Sequence, residues 1–307
     1  MKRRSESHAI IVPITMASSA KKRLLTARDH EILAALDLAP LTARQLLRLS
    51  TIWPEPYKHQ RTLRERLQQL RETGLVKSFR YATLYPGQPE NYYGLSRAGF
   101  QALHGPDEQP PTKGHFSEVA ISRHVHTRGL ADFLVHTMVA AYHSQVEVTG
   151  LYRENSIRLT AGEESVYPDL AFVLVPPDGL PLKFFVEIDC GTERLTSLVS
   201  NRTWERKARV YDRIQDQLPG TRFRVLVVTV RASSERLKHV LATAASVQRN
   251  PDRTLFYGAT IYGYRGTEVA VTAPVFIDHR GRRQSLVPTR PYSPPLRPAR
   301  LLARARA

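Results

Sequence analysis

VYPDLAFVLVPPDGLPLKFFVEIDCGTE, residues 166–193, holds two apolar runs joined by a proline- and glycine-rich turn, with acids at their ends. Two strands separated by PPDGLP read as an antiparallel hairpin over 166–175 and 182–189. Successive side chains of a strand alternate faces, so Glu187 and Asp189 project from one face of the second strand. The pairing brings Asp169, near the start of the first strand, beside that end. Three carboxylates gathered together repel one another and raise a pKa. A divalent cation with oxygen ligands relieves that repulsion, and Mg²⁺ or Mn²⁺ suits such a site; the competing reading is that these acids end strands, accept helix-cap bonds or pair with nearby arginines. Lys207 and Tyr211, four apart on the following helix, share a face that packs back toward the strand ends. Glu154, in LYREN at the end of an earlier strand, is an accessory ligand candidate.

Around this hairpin the chain alternates strands and helices. Strands are expected near 145–152, 222–230 and 255–262, and helices near 195–217 and 233–248, with a long helix over 117–144 ahead of them. That order predicts an α/β sandwich on a mixed sheet. Upstream, Thr26 with Asp29 and Thr42 with Gln45 have capping-box spacing ahead of leucine-rich helices. A third helix, roughly 57–73, carries Leu63, Leu67 and Leu70 at helical spacing and stops at Gly74. LVKSFRYATLY and NYYGLS, separated by PGQPE, make a second hairpin. Three helices followed by a hairpin are the parts of a winged helix-turn-helix. With its leucines inward, the third helix turns Gln60, Arg61, Arg64 and Gln68 outward, with Lys58 at its start and Arg80 and Tyr81 on the wing, positioned for DNA. His124, His126 and His136 of the long helix, near basic residues, read as solvated or phosphate-contacting rather than as zinc ligands.

The 307 residues carry 45 Lys and Arg against 28 Asp and Glu, a formal net charge of +17. Such an excess points to an anionic polymer and to salt-sensitive binding, with double-stranded DNA as the partner and an anionic membrane surface as the competing reading. No stretch approaches the roughly 18 apolar residues that span a bilayer. The basic start and short apolar run at the N-terminus faintly resemble a signal peptide but are broken by Pro13, and read as an arm. One cysteine, Cys190, leaves no internal disulfide and fits a reducing cytoplasm; beside the acids it reads as a packing residue. The expected organisation is a disordered basic arm (1–23), a winged-helix domain (24–104), a linker (105–116), a sandwich domain (117–272) and a disordered Arg/Pro-rich tail (273–307).

Pro168-Asp169, Glu187 at the end of the next strand and a nearby basic residue resemble the PD-(D/E)xK nuclease superfamily. The resemblance implies that Asp169, Glu187 and Asp189 hold a metal and that the acids and Lys207 are catalytic. It also marks a departure, since the superfamily expects its lysine two residues after the second acid, where Asp189 stands. A winged helix followed by Pro168-Asp169, Glu187-Ile188-Asp189, Gly191-Thr192-Glu193, Lys207 and Tyr211, with the H-x-H from His124, closely resembles the replication-relaxation family of plasmids and other bacterial mobile elements. The fold implied is α+β: a winged helix-turn-helix, then a PD-(D/E)xK nuclease-like α/β sandwich. The function implied is DNA binding in replication or transfer of a mobile element, as a metal-dependent endonuclease or nickase; the alternative is a non-cleaving initiator or transcriptional regulator on a degenerate nuclease-like scaffold. Replication or conjugation proteins, a homodimer and a nucleoid- or plasmid-associated cytoplasmic location complete the expectation.

Overall fold

A computed structural model describes residues 25–82, 90–110, 114–177, 179–192, 194–195, 203–217, 222–231 and 233–288. The arm expected over 1–23, the middle of the expected linker and the chain from 289 lie outside the described residues.

The capping boxes form as the spacing requires. Thr26 and Asp29 open α1 (Ala27–Leu38), and Thr42 and Gln45, after the short β1 (Leu41–Thr42), open α2 (Ala43–Ser50). The Asp29 carboxylate also receives Arg66 from α3 (Gln60–Glu72), which ties the first helix to the third. Leu63, Leu67 and Leu70 are buried under α3. Strands β2 (Val76–Arg80) and β3 (Asn91–Leu95) pair antiparallel, and β1 closes a three-stranded sheet in the order β1-β3-β2. Helix α4 (Arg97–His104) follows, capped by Ser96.

The long helix begins later than expected. Val119 precedes it, donating its N–H to the Tyr92 hydroxyl, and a 3₁₀ turn over Ile121–Arg123 leads into α5 (His124–His143). Then come β4 (Glu147–Tyr152), a small separate hairpin of β5 (Leu159–Ala161) and β6 (Glu164–Val166), β7 (Leu170–Val175) and β8 (Leu182–Asp189). The strand expected over 166–175 is therefore split at Tyr167-Pro168-Asp169, where proline has no N–H to give to a ladder. After α6 (Trp204–Gln217), β9 (Phe223–Thr229), α7 (Ser234–Ser246) and β10 (Phe256–Thr260), the end of the expected last strand becomes α8 (Ile261–Arg265), capped by Thr260.

Strands β11 (Phe276–Asp278) and β12 (Arg283–Gln284) fall where the disordered tail was expected. Phe276, Leu286 and Val287 are buried, and those apolar groups hold this stretch on the sheet. The seven-stranded sheet runs β12-β11-β10-β9-β8-β7-β4; β8, β9 and β10 are parallel and the flanking pairs antiparallel. Alternation sorts its side chains between two layers. Phe184, Val186, Ile188, Leu226 and Val228 join the core under α5, whereas Phe185, Val225 and Val227 join the cluster under α6 and α7.

The core under α5 is continuous with that of the three-helix unit: Leu46 and Leu49 of α2 belong to the same cluster as Leu130, Phe133 and Leu134. A polar stitch reinforces the join. Asp37 of α1 accepts from Arg153 Nη1 at 2.7 Å, His104 Nε2 at 3.0 Å and His115 Nε2 at 3.2 Å. Arg153 Nη1 also donates to the Asp37 carbonyl at 2.7 Å, so the segment around His115, part of the expected linker, is anchored.

Burial opposes ionisation of Asp37, but His115, Arg153 and His104 outweigh it and hold the carboxyl at about 2. A folded-state pKa below the unfolded value stabilises above the unfolded pKa, near 4, and that stabilisation is lost as pH falls toward 2. Asp37→Asn is expected to lower stability by about 1–2 kcal/mol at pH 7 in urea unfolding, with the gap to wild type closing between pH 4 and pH 2. A gap that stays constant down to pH 2 would rule out the ionised Asp37 as its source.

Candidate active site

The β7–β8 pairing sets Leu170 opposite Val186, and the Asp169 N–H donates to the Val186 carbonyl at 2.9 Å. The Asp169 carboxylate thus meets the next strand's end, where Oδ2 accepts the Ile188 N–H at 2.7 Å. The same oxygen lies 3.0 Å from His126 Nε2, in the first turn of α5. Gly129 allows that helix to come so close to the sheet: a Cβ there would stand 2.4 Å from Val230 Cγ2.

Glu187 faces the other layer, on the side of α6. It is 4% exposed, with Lys207 Nζ 2.9 Å from Oε2 and the Tyr211 hydroxyl donating to Oε1 at 2.6 Å. Both partners come from one face of α6, a turn apart. Burial, together with the charge of Asp169, pushes the Glu187 carboxyl up to about 7 against the pull of Lys207 and Tyr211. Asp169 moves the other way: burial works to raise it, but His126, the Ile188 N–H and Lys207 hold it below the usual carboxylate range. The two acids therefore have separated proton affinities, a common property of reactive sites.

Asp169, Glu187, Lys207 and Tyr211 are brought together; Asp189 is turned elsewhere. Its carboxylate accepts Arg236 Nε at 3.0 Å and Nη2 at 3.1 Å from α7, and the Gly191 N–H at 3.1 Å. As a result Asp169, Glu187 and Asp189 do not form the compact triple of ligand atoms that the hairpin predicts. Among the described residues the group whose ligand atoms all lie within 4.8 Å of one another is His126, Glu154 and Asp169. Glu154 is also paired with Arg123, just ahead of α5. Cys190 beside the site is no thiolate, since burial and then the charges of Asp189 and Asp169 push its thiol up to about 11. Glu193 of the quoted motif lies outside the described residues.

The histidines of α5, all expected to be solvated or phosphate-contacting, divide by environment. His124 is buried, accepting the Ala82 N–H at 2.8 Å and donating to the Val119 carbonyl at 2.9 Å. His136 is buried between Arg48 and the Thr267 carbonyl. Neither is solvated or meets phosphate; both are structural. In the three-helix unit, Lys58, Arg61, Arg64 and Gln68 are exposed, Gln60 is half-buried, and Arg80 is exposed at the end of β2. Arg61 pairs with Glu65 and Gln68 with Glu72, one turn on. Tyr81, read as a wing contact, is instead buried against Tyr92 and His124.

The replication-relaxation family model matches residues 35–225. The chain belongs to the replication-relaxation family. The matched span of this replication-relaxation chain contains α2, α3, α5 and every candidate residue of the acid site, while Arg236 and α7 lie beyond it. No curated protein matches the chain. The crystal structure of Bacillus subtilis PadR in complex with operator DNA is similar at 16% identity over 39% of this chain and 77% of that one, with a TM-score of 0.24. No helix among the described residues is long and apolar enough to cross a membrane.

A carboxyl whose folded pKa is raised costs stability above its unfolded pKa, and the cost grows until the pH passes the folded value. Glu187→Gln removes that cost. The variant is expected to melt higher than wild type at pH 8 and no higher at pH 5, by differential scanning calorimetry. Equal melting temperatures at both pH values would show that Lys207 and Tyr211 fully compensate the buried charge.

Proposed function

We propose that this replication-relaxation protein binds double-stranded DNA of a plasmid or other mobile element and hydrolyses a phosphodiester bond in a Mg²⁺- or Mn²⁺-dependent reaction. The observation that carries the reading is Lys207 Nζ at 2.9 Å from Glu187, with the Asp169 charge close enough to raise the Glu187 carboxyl. Two acids and a lysine so joined have the chemistry of the PD-(D/E)xK nucleases, with the lysine supplied from α6 instead of the strand.

The donor set fits a hard divalent cation. Two carboxylates that resist ionising together gain from one, and both offer oxygen. Asp169 and Glu187 would hold it, and the cation would polarise the phosphoryl oxygen and lower the pKa of a bound water. Lys207 balances the charge of Glu187 and offers an ammonium toward developing negative charge on phosphate. Tyr211 fixes the Glu187 carboxylate from its other oxygen. In the hydrolysis a water oxygen bonds to phosphorus, one P–O ester bond breaks and the leaving oxygen takes a proton. The formal charge of +17 and the exposed Lys58, Arg61 and Arg64 supply a surface for the duplex.

The second reading, a non-cleaving DNA-binding initiator or regulator, draws on the bidentate Arg236–Asp189 pair, which gives position 189 a structural role in place of a chemical one. Supercoiled plasmid incubated with Mg²⁺ or Mn²⁺ separates the two. Wild type is expected to nick or linearise it, with Asp169→Ala, Glu187→Ala and Lys207→Ala slower by about 100-fold or more. Tight retardation of duplex by wild type with no cleavage under either metal would establish the second reading. Arg64→Ala is expected to weaken duplex binding across sequences and to reduce the slope of log K against log salt by about 1.

A further inference from the structure

His126, Glu154 and Asp169 come from three elements: the first turn of α5, the turn after β4 and the residue before β7. One imidazole nitrogen and one oxygen from each carboxylate lie within 4.8 Å of one another. Ligands at roughly 2.1 Å from a shared ion stand about 3–4 Å apart, so the set needs little movement to enclose one. It is also accessible, with side-chain exposures of 17%, 27% and 15% for His126, Glu154 and Asp169.

A positive group already occupies this place. Arg123 donates to Glu154 Oε1 through Nη2, and the same nitrogen lies 3.3 Å from His126 Nδ1. The guanidinium sits on the 3₁₀ turn ahead of α5 with 48% of its side chain exposed, so it can leave for solvent at little cost. Arg123 thus holds the two ligands together and competes with any cation for them.

We infer that His126 and Glu154 join Asp169 in the cation site, that the imidazole makes the site prefer Mn²⁺ over Mg²⁺, and that Arg123 is its displaceable counter-charge. Imidazole suits first-row transition ions, whereas Mg²⁺ demands hard oxygen donors and keeps its waters. The inference rests on the metal-dependent reading above, but concerns binding, which is measurable without DNA.

The test is titration of full-length protein with MnCl₂ and with MgCl₂, by calorimetry and by the loss of the free Mn²⁺ electron paramagnetic resonance signal. Wild type should bind Mn²⁺ more tightly than Mg²⁺. His126→Ala should weaken Mn²⁺ by about 10–100-fold and leave Mg²⁺ within a few-fold. Arg123→Ala should tighten both ions, a gain that the loss of a merely structural ion pair does not produce and that holds the test open if His126→Ala fails to fold. Wild-type Mn²⁺ affinity in His126→Ala, or unchanged affinity in Arg123→Ala, overturns the inference. Running the plasmid assay beside it separates the two readings. Cleavage with no role for His126 leaves the nuclease standing without this site, and His126-dependent Mn²⁺ binding with no cleavage leaves the site without the nuclease.

Discussion

Helix α5 has too little polar surface to lie on the outside of a protein, and the rest of the molecule is arranged around covering it. Leu130, Ala131, Phe133, Leu134, Val135, Val139, Ala140 and Ala141 are all buried, and they go most of the way round the helix. A helix apolar on that many sides needs more than one partner layer. The sheet covers one side, and α2 with α8 covers another, which fuses the three-helix unit and the sheet into one core. The few polar groups of α5 lie where the layers meet. Asp132 receives Gln45 from α2 and Arg265 from α8, Thr137 meets the Tyr264 hydroxyl, and His136 lies between Arg48 and the Thr267 carbonyl. Burial and then the adjacent Arg48 push His136 down to about 4, so it stays neutral there and costs no buried charge. Through this shared core the three-helix unit that carries α3 and the sheet that carries the acids are packed against one another.

The same constraint fixes the chemistry. Once the apolar stretch from Leu130 onward is packed, the turn before it must lie against the ends of β7 and β8, which sets His126 on Asp169. The other helices act alike, each bringing one positive group to one acid. Lys207 of α6 meets Glu187, and Arg236 of α7 meets Asp189. In a chain with so large a basic excess this matching decides where acids can collect. Buried carboxylates without such partners would take up protons or unfold the sheet end.

Much of this was legible because it is local. Capping boxes at Thr26 and Thr42 act over three residues, PPDGLP fixes a hairpin, the hairpin fixes the register that takes Asp169 to Ile188, and Lys207 with Tyr211 follows from one helical turn. What escaped was set by distance along the chain. Arg236 is 47 residues from Asp189 and reads in SSERLKH as an ordinary exposed first turn; no pattern announces its partner. His126 looked like His124 and His136 because all three share a helix, yet they meet a carboxylate, a backbone pair and an arginine. Glu154 is legible as an accessory candidate from its place at the end of a strand, but its grouping with His126 is not. Strands β11 and β12 were hidden by the basic composition of the segment, although Phe276, Leu286 and Val287 are the apolar residues that bury it.

At position 189 the register of β8 and the packing of the helices meet. Period-two alternation sends 187 and 189 to the same face of β8, and that face is covered by two different helices: α6 over Glu187, α7 over Asp189. A lysine at 189 would point its ammonium into the guanidinium of Arg236, so the pattern that the nuclease resemblance expects is incompatible with this packing of α7. An aspartate there instead gains a bidentate arginine and fastens the helix, a geometry that offsets the desolvation of both charges. The positive charge beside Glu187 comes from α6, where Lys207 reaches it from one helix turn before Tyr211. The acid at 189 is what lets α7 close over the sheet end, and the lysine at 207 keeps an ammonium beside Glu187 once it has.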